Sequence, residues 1–388
     1  METYYIHASR FFLPEGVKSQ GYLPVVNGKF GVFTTELPAD GSQVLDYTGK
    51  WIAPGLVDTH IHGYRGHDVM DNDAEGLKEI SKGLLSCGVT SFLPTTLTSD
   101  VESLNAVSKT IGEHYQDMPG AKIQGIFFEG PFFTEQHKGA QNPDFFSDPD
   151  LDNFQHWQKL SGGLIKKIAL APEREGATAF IKELSAQGVT VALAHSSATY
   201  QKAREAVSAG ASVFVHTYNG MSGLSHREPG MVGAAMNTAD TFSELICDGH
   251  HVHPAAAEIL MNVKGRDRVA LITDCMRAGG MPDGEYQLGE FPVEVSSGAA
   301  RLKTGGSLAG SVLELMDAVR NVHDWNIATI EESIRMASIV PAESCGIEDK
   351  CGSIKAGRDA DFIVIDSQLN LEETYLNGER VYKKEIKG

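Results

Sequence analysis

The chain has 388 residues, 41% of them hydrophobic and 22% charged, enough for the sizeable core of an enzyme-sized fold. Its formal net charge of −18 opposes a nucleic-acid surface, because binding a polyanion needs a positive field. The five cysteines, Cys87, Cys247, Cys275, Cys345 and Cys351, are odd in number and contain no C-x-x-C pair, so neither a disulfide framework nor a thiolate zinc site is expected.

Residues 1–53 read as short strands broken by "NGK", "DGS" and "TGK" turns. The opening "METYYIHASRFF" lacks the basic stretch, apolar run and cleavage site of a secretory leader. No later run approaches a membrane span, so a cytoplasmic protein without a membrane partner is expected. Residues 54–350 then repeat one cadence of amphipathic helix, glycine and β-branched strand. "EGLKEISKGLLSCG" leads into "VTSFLPTT", "ATAFIKELSAQG" into "VTVALAHS", "TYQKAREAVSAG" into "ASVFVHTYN", and "AAAEILMNVKG" into "RVALITDC". Gly88, Gly188, Gly210 and Gly265 stand where a helix ends in the left-handed region. With "GLVDTHIHG", "KIQGIFFEG" and "KKIALAPE", about seven strands alternate with helices, which predicts a (β/α)8 TIM-type barrel. Residues 351–388 return to short strands and pair with the N-terminal ones in a small β-sandwich domain.

The ends of the predicted barrel strands carry the chemistry. In a strand, residues two apart share a face, so His60 and His62 can aim at one point. Other strands end in Glu129, His195, His216 and Asp274. Any one of these could cap a helix or bond a loop, but six at the same end of five strands converge where a barrel holds its active site. Imidazole nitrogen and carboxylate oxygen suit one or two divalent transition ions, zinc or iron first, then manganese or cobalt. Two such ions position a hydroxide and polarise a carbonyl, so hydrolysis follows, and Asp274 is suited to move the proton.

These motifs resemble the amidohydrolase superfamily, whose members open the barrel with "PGLVDTHIHG" and close with a domain carrying "GSIKAGRDADFIVID". Within it the chain is similar to the N-acetylglucosamine-6-phosphate deacetylase family through "FFEGPFF", "KGAQNP", "ALAHSSATY", "VHTYNGMSGLSHREPG", "DGHHVHP", "LITDCMRAGG" and "GGSLAGS". That resemblance implies hydrolysis of the acetamide of a phosphorylated amino sugar, with Asp274 as general base and then acid. Glu129, His195 and His216 match the ligands of one ion, and an intact His60 and His62 imply a second ion bridged by Glu129. Arg227 and His251 match positions that hold the phosphate, with Arg227 reaching into the partner's site of a homodimer. Asn219 and Gly220 match a loop at the phosphate, and Leu308 and Ala309 a loop near the acetyl group.

Ala140 and Gln141 fall in the substrate loop, where many relatives read "GAHNP". Gln141 thus replaces a histidine that helps polarise the acetyl carbonyl; its amide can donate but cannot carry charge. Cys275 replaces the usual alanine after the catalytic aspartate and puts a thiol near the ions. Two rival readings remain: another amidohydrolase without the phosphate clamp, and a catalytically idle barrel acting as a sensor or scaffold.

Overall fold

The computed structural model describes residues 3–39 and 41–385. The chain opens with β1 (Thr3–Leu13), β2 (Gly16–Val26), β3 (Lys29–Phe30) and β4 (Gln43–Pro54). β1 pairs antiparallel with β2 and parallel with β4. After Gly55 the chain enters the barrel as β5 (Leu56–Ile61), followed by β6 (Val89–Thr96), β7 (Ile126–Phe132) and β8 (Ile165–Leu170). The ring continues with β9 (Thr190–Leu193), β10 (Val213–Phe214), β11 (Phe242–Leu245) and β12 (Val269–Leu271).

Each barrel strand lies parallel to the next. The ring closes through a bridge between Ile61 and Cys275, supported by His62 N donating to Cys275 O at 2.8 Å and Asp274 N donating to His60 O at 2.9 Å. Closure therefore falls among the chemistry-bearing residues themselves. The eighth strand is β11, which sequence patterning does not reveal, because "FSEL" is four residues long with Ser243 and Glu244 at its centre.

The helices are α1 (Ala74–Leu84), α2 (Val101–His114), α3 (Leu151–Leu160), α4 (Ala177–Ala186), α5 (Tyr200–Ala209), α6 (Gly230–Met236) and α7 (Pro254–Lys264), each between two strands. Oxygens of Asp73, Asp100, Asp150 and Thr199 accept from first-turn amides and fix where α1, α2, α3 and α5 begin. Strand alternation sorts the side chains. Phe127 joins the lumen cluster, whereas Phe128 faces outward and stacks on Trp157 with ring centroids 5.1 Å apart. The lumen is packed by Val57, Leu93, Phe127, Ala169, Ala192 and Ala270. It is a filled core, so the strand ends form a floor and not a pore.

After β12 an antiparallel insert, β13 (Gly284–Leu288), β14 (Phe291–Ser296) and β15 (Ala299–Leu302), packs on Leu97, Ala140, Met276 and Ala309. The sequence reading does not anticipate it. The barrel finishes with α8 (Leu315–Asp324), α9 (Ile330–Met336) and α10 (Ile339–Ser344). Val340 and Ala342 of α10 join the lumen cluster, and Val57 N near the start of β5 donates to Ala337 O, so this segment seals the end opposite the strand C-termini.

The chain ends with β16 (Phe362–Ile365), β17 (Leu371–Leu376) and β18 (Glu379–Lys383). β16 pairs antiparallel with β4, so the two termini form one small domain, hydrogen-bonded throughout as a seven-stranded sheet. Lys122 clamps it to the barrel, its ammonium reaching Asp359 at 3.0 Å, Asp361 at 2.7 Å and Asn377 at 2.7 Å. Among the described residues no helix is long and apolar enough to cross a membrane.

Candidate metal centre

At the C-terminal ends of the barrel strands, four imidazoles surround two carboxylates. His62 Nε2 lies 3.1 Å from Glu129 Oε2 and 3.1 Å from Asp274 Oδ1. His60 Nε2 is 3.4 Å from Asp274 Oδ1 and 3.6 Å from Glu129 Oε1. On the other side, His195 and His216 place Nε2 at 3.3 and 3.2 Å from Glu129 Oε1. Two donor groups result, His60 with His62 and Asp274, and Glu129 with His195 and His216; within each, the donor atoms lie within 4.8 Å of one another. Glu129 touches both, Oε1 facing His60, His195 and His216 and Oε2 facing His62.

The proton positions follow from the far side of each ring. Nδ1 of His62 donates to Thr95 O at 3.2 Å, that of His195 to His137 O at 2.8 Å, and that of His216 to Asn219 O at 3.0 Å. A carbonyl has no proton to give, so each ring holds its hydrogen on Nδ1 and turns an Nε2 lone pair inward. His60 does the same through Glu244 Oε2 at 3.2 Å. Lone pairs then face carboxylate oxygens in a buried site, which requires cations between them. His60 Nε2, fully buried, has no hydrogen-bond partner among the described residues. The donor set and this orphaned nitrogen fit two divalent ions.

Without ions, protons fill that need in part. Burial opposes charge on His62, but hydrogen bonds to Asp274 and Glu129 outweigh it and bring its pKa up to about 9. Burial likewise pushes Glu129 up, yet His60, His195 and His216 hold it well below the usual carboxylate range. Asp274 is lowered for the same reason by His60 and His62.

The backbone is bent to make this convergence. His195, His216 and Asp274 have φ of 43°, 31° and 50°, a left-handed conformation costing about 1–3 kcal/mol each that persists only where surroundings enforce it. Asp58, buried on β5, is one such enforcer. It accepts from His60 N at 3.2 Å and from the Thr273 hydroxyl at 2.6 Å, tying together the strands that carry His60 and Asp274, and burial raises its pKa to about 6. Gly220 is another: with φ of 61°, a Cβ there would stand 2.8 Å from His195 Nδ1.

Above the donors opens a cavity of ≈ 350 Å³. His62, Glu129, His195, His216 and Asp274 line it, while His60 sits behind them. Of the expected substrate residues, Ala140, Gln141, Asn219, Gly220, His251 and Leu308 also line it. Ala309 does not; it is buried in the cluster under the β13–β15 insert. Arg227 lies outside the cavity, exposed on the loop before α6. A larger cleft of ≈ 560 Å³ at the junction of the small domain with α9 brings together no comparable histidine and carboxylate group among the described residues.

Gln141, which lines the cavity, also has partners beneath it. Its amide donates to Glu129 Oε2 at 2.9 Å, and its carbonyl accepts from Thr98 N at 3.0 Å, a pairing that fixes its orientation. It therefore braces the Glu129 carboxylate. Cys275 is 1% exposed with its sulfur against Met276 O and Gly279, away from the donors, and burial pushes its thiol well up, so it is an inert neutral group.

Sequence reasoning missed Asp58, Glu244, Lys167, Asp248 and His137. Asp248 accepts from His251 Nδ1 at 2.7 Å, leaving Nε2 of that ring for a ligand. His137 lines the cavity from the loop that receives His195. Asp58 was readable two residues before His60, whereas Glu244 and Lys167 announce themselves only through tertiary contact.

A family model described as the amidohydrolase family matches residues 51–384. The chain is 42% identical over 332 residues to the N-acetylglucosamine-6-phosphate deacetylase of Vibrio furnissii, covering 85% of this chain and 83% of that protein. It is 39% identical over 378 residues to the N-acetylgalactosamine-6-phosphate deacetylase of Escherichia coli O157:H7, covering 97% and 99%. Among solved structures, a D267A mutant of N-acetyl-D-glucosamine-6-phosphate deacetylase from Mycobacterium smegmatis, in complex with N-acetyl-D-glucosamine-6-phosphate, superposes with a TM-score of 0.91 at 28% identity over 98% of this chain and 100% of that one.

Metal analysis of the loaded protein should find two ions per chain, and one in a His60→Gln, His62→Asn double variant. Because His62 has its pKa raised to about 9, the metal-free site is protonated near neutrality and an ion must displace that proton. Affinity at this site should thus weaken as pH falls below about 9. An affinity constant across about pH 7–9 would contradict it.

Proposed function

The chain belongs to the amidohydrolase family, and from that membership and its site we propose that it hydrolyses N-acetylglucosamine 6-phosphate to glucosamine 6-phosphate and acetate. The observation that carries this reading is one cavity that joins the two donor groups to His251 and the Asn219–Gly220 loop, a polar end beside a hydrolytic one. A neutral heterocycle would have no use for the second end, and an idle scaffold none for the strained first.

Bound to His60, His62, Asp274, Glu129, His195 and His216, zinc or iron ions supply Lewis acidity toward the acetyl carbonyl and the attacking water. Asp274 borders the cavity and takes the proton as water oxygen bonds to the acetyl carbon. It returns that proton to the sugar nitrogen as the C–N bond breaks, so the amine leaves neutral with acetic acid, which gives up the second water proton to solvent and departs as acetate. Gln141 holds Glu129 in place and does not meet the acetyl oxygen as a charged donor would. Leu308 and Leu288 wall the cavity on its apolar side.

On a chain of charge −18 the phosphate needs dedicated donors. His251, oriented by Asp248, supplies one, with Asn219 and Gly220 beside it. Arg227 is exposed on a loop whose Leu224 is 59% exposed, outside its own cavity, which supports a homodimer in which it enters the partner's site.

Acetate release from N-acetylglucosamine 6-phosphate, its C4 epimer and the unphosphorylated sugar tests the substrate. The first should give the highest kcat/KM; a higher value for the galacto epimer would reassign the sugar. Arg227→Ala should lower kcat/KM for the phosphorylated sugar by roughly tenfold or more, the scale of a lost charged hydrogen bond, while sparing the unphosphorylated one. Equal losses on both would remove Arg227 from the phosphate.

Asp274→Asn should fold and bind substrate yet lose ~10²–10⁴-fold in turnover, because an amide cannot accept and return the proton. Retention of more than about a tenth of the wild-type rate at matched metal content would place the proton transfer elsewhere.

A further inference from the structure

Under the donors lies a layer that the reaction does not touch. Lys167 on β8 and Glu244 on β11 are both wholly buried in the barrel lumen. The Lys167 ammonium bonds to Glu244 Oε1 and lies 3.8 Å from the centroid of the Phe127 ring. Desolvating such a pair costs several kcal/mol per ion, and apolar replacements of similar size are often no less stable, so stability alone does not account for it.

The other oxygen of Glu244 supplies the account. Oε2 accepts from His60 Nδ1 at 3.2 Å and, more weakly, from His216 N at 3.4 Å. Of the four inward histidines, His62, His195 and His216 have their Nδ1 hydrogen held by a main-chain carbonyl. His60 alone depends on a side chain, and its Nε2 is the orphaned atom. Phe127 meets the same ring edge-on at 4.9 Å.

We propose that Glu244, held by Lys167, is the positioning residue that creates the His60/His62/Asp274 metal site. The inference rests on the reading of His60 and His62 as ligands. Glu244 keeps the His60 hydrogen on Nδ1, fixes the ring plane and enriches the electron density at Nε2. Lys167 balances the charge of Glu244, so the carboxylate stays ionised without an ion of its own. The Glu129/His195/His216 site meets this pair only through the long His216 N contact, and main-chain carbonyls orient both of its rings. Loss of Glu244 therefore affects one ion of two.

Two charge-neutral double variants isolate the effect: Lys167→Met with Glu244→Gln, which keeps an oxygen for His60, and Lys167→Met with Glu244→Leu, which does not. Chelator-competition titration with zinc should give the wild type two ions. The Gln variant should hold its second ion within about tenfold of wild type, and the Leu variant should bind it ~10–100-fold more weakly than the Gln variant, the range for a lost outer-shell partner. The first ion, unchanged in both, reports that the barrel is folded. If both variants bind the second ion equally, the positioning role of Glu244 is wrong. If the wild type binds a single ion, the ligand reading of His60 and His62 fails first, and this inference with it.

Discussion

Four imidazole lone pairs turned toward two buried carboxylates form an arrangement that cannot stand without positive charge between them. Most other features of the barrel mouth follow from that constraint. Carbonyls of Thr95, His137 and Asn219 and the carboxylate of Glu244 occupy the outer nitrogens, so the inner ones are committed to accepting. Glu129 is shared between the two groups and braced by Gln141, and the aspartate that completes one group also faces the cavity. Protons can satisfy the site in part, as the raised His62 shows, but they compete with the ions for the same lone pairs.

The fold bears the cost of this convergence in its backbone. Three strand-terminal residues adopt left-handed φ, and the ring closes where Asp274 N donates to His60 O and His62 N to Cys275 O. Asp58 and Thr273 lock that seam from inside, and the packed lumen beneath gives the strand ends a rigid base. The antiparallel insert, with Leu288 at the cavity wall, and the loop bearing His137 and Gln141 complete the enclosure. A preorganised floor with a polar region beside it suits hydrolysis of an amide on a charged sugar.

The amino-acid sequence by itself determined the barrel, the six donors and their spacing of two at His60 and His62, because alternation and helix-stop glycines are local signals. It also marked the pairing of the terminal strands. Hidden from it were the strand "FSEL", too short and polar to show a period, the β13–β15 insert, and the use of Gln141 to brace Glu129. Only the tertiary structure decided which nitrogen of each histidine faces inward, that Cys275 turns away, and that Lys167 and Glu244 meet under His60 across 77 residues of chain. Those outcomes depend on atoms brought together by barrel closure, and a buried ion pair or a ring tautomer has no local pattern from which to be read.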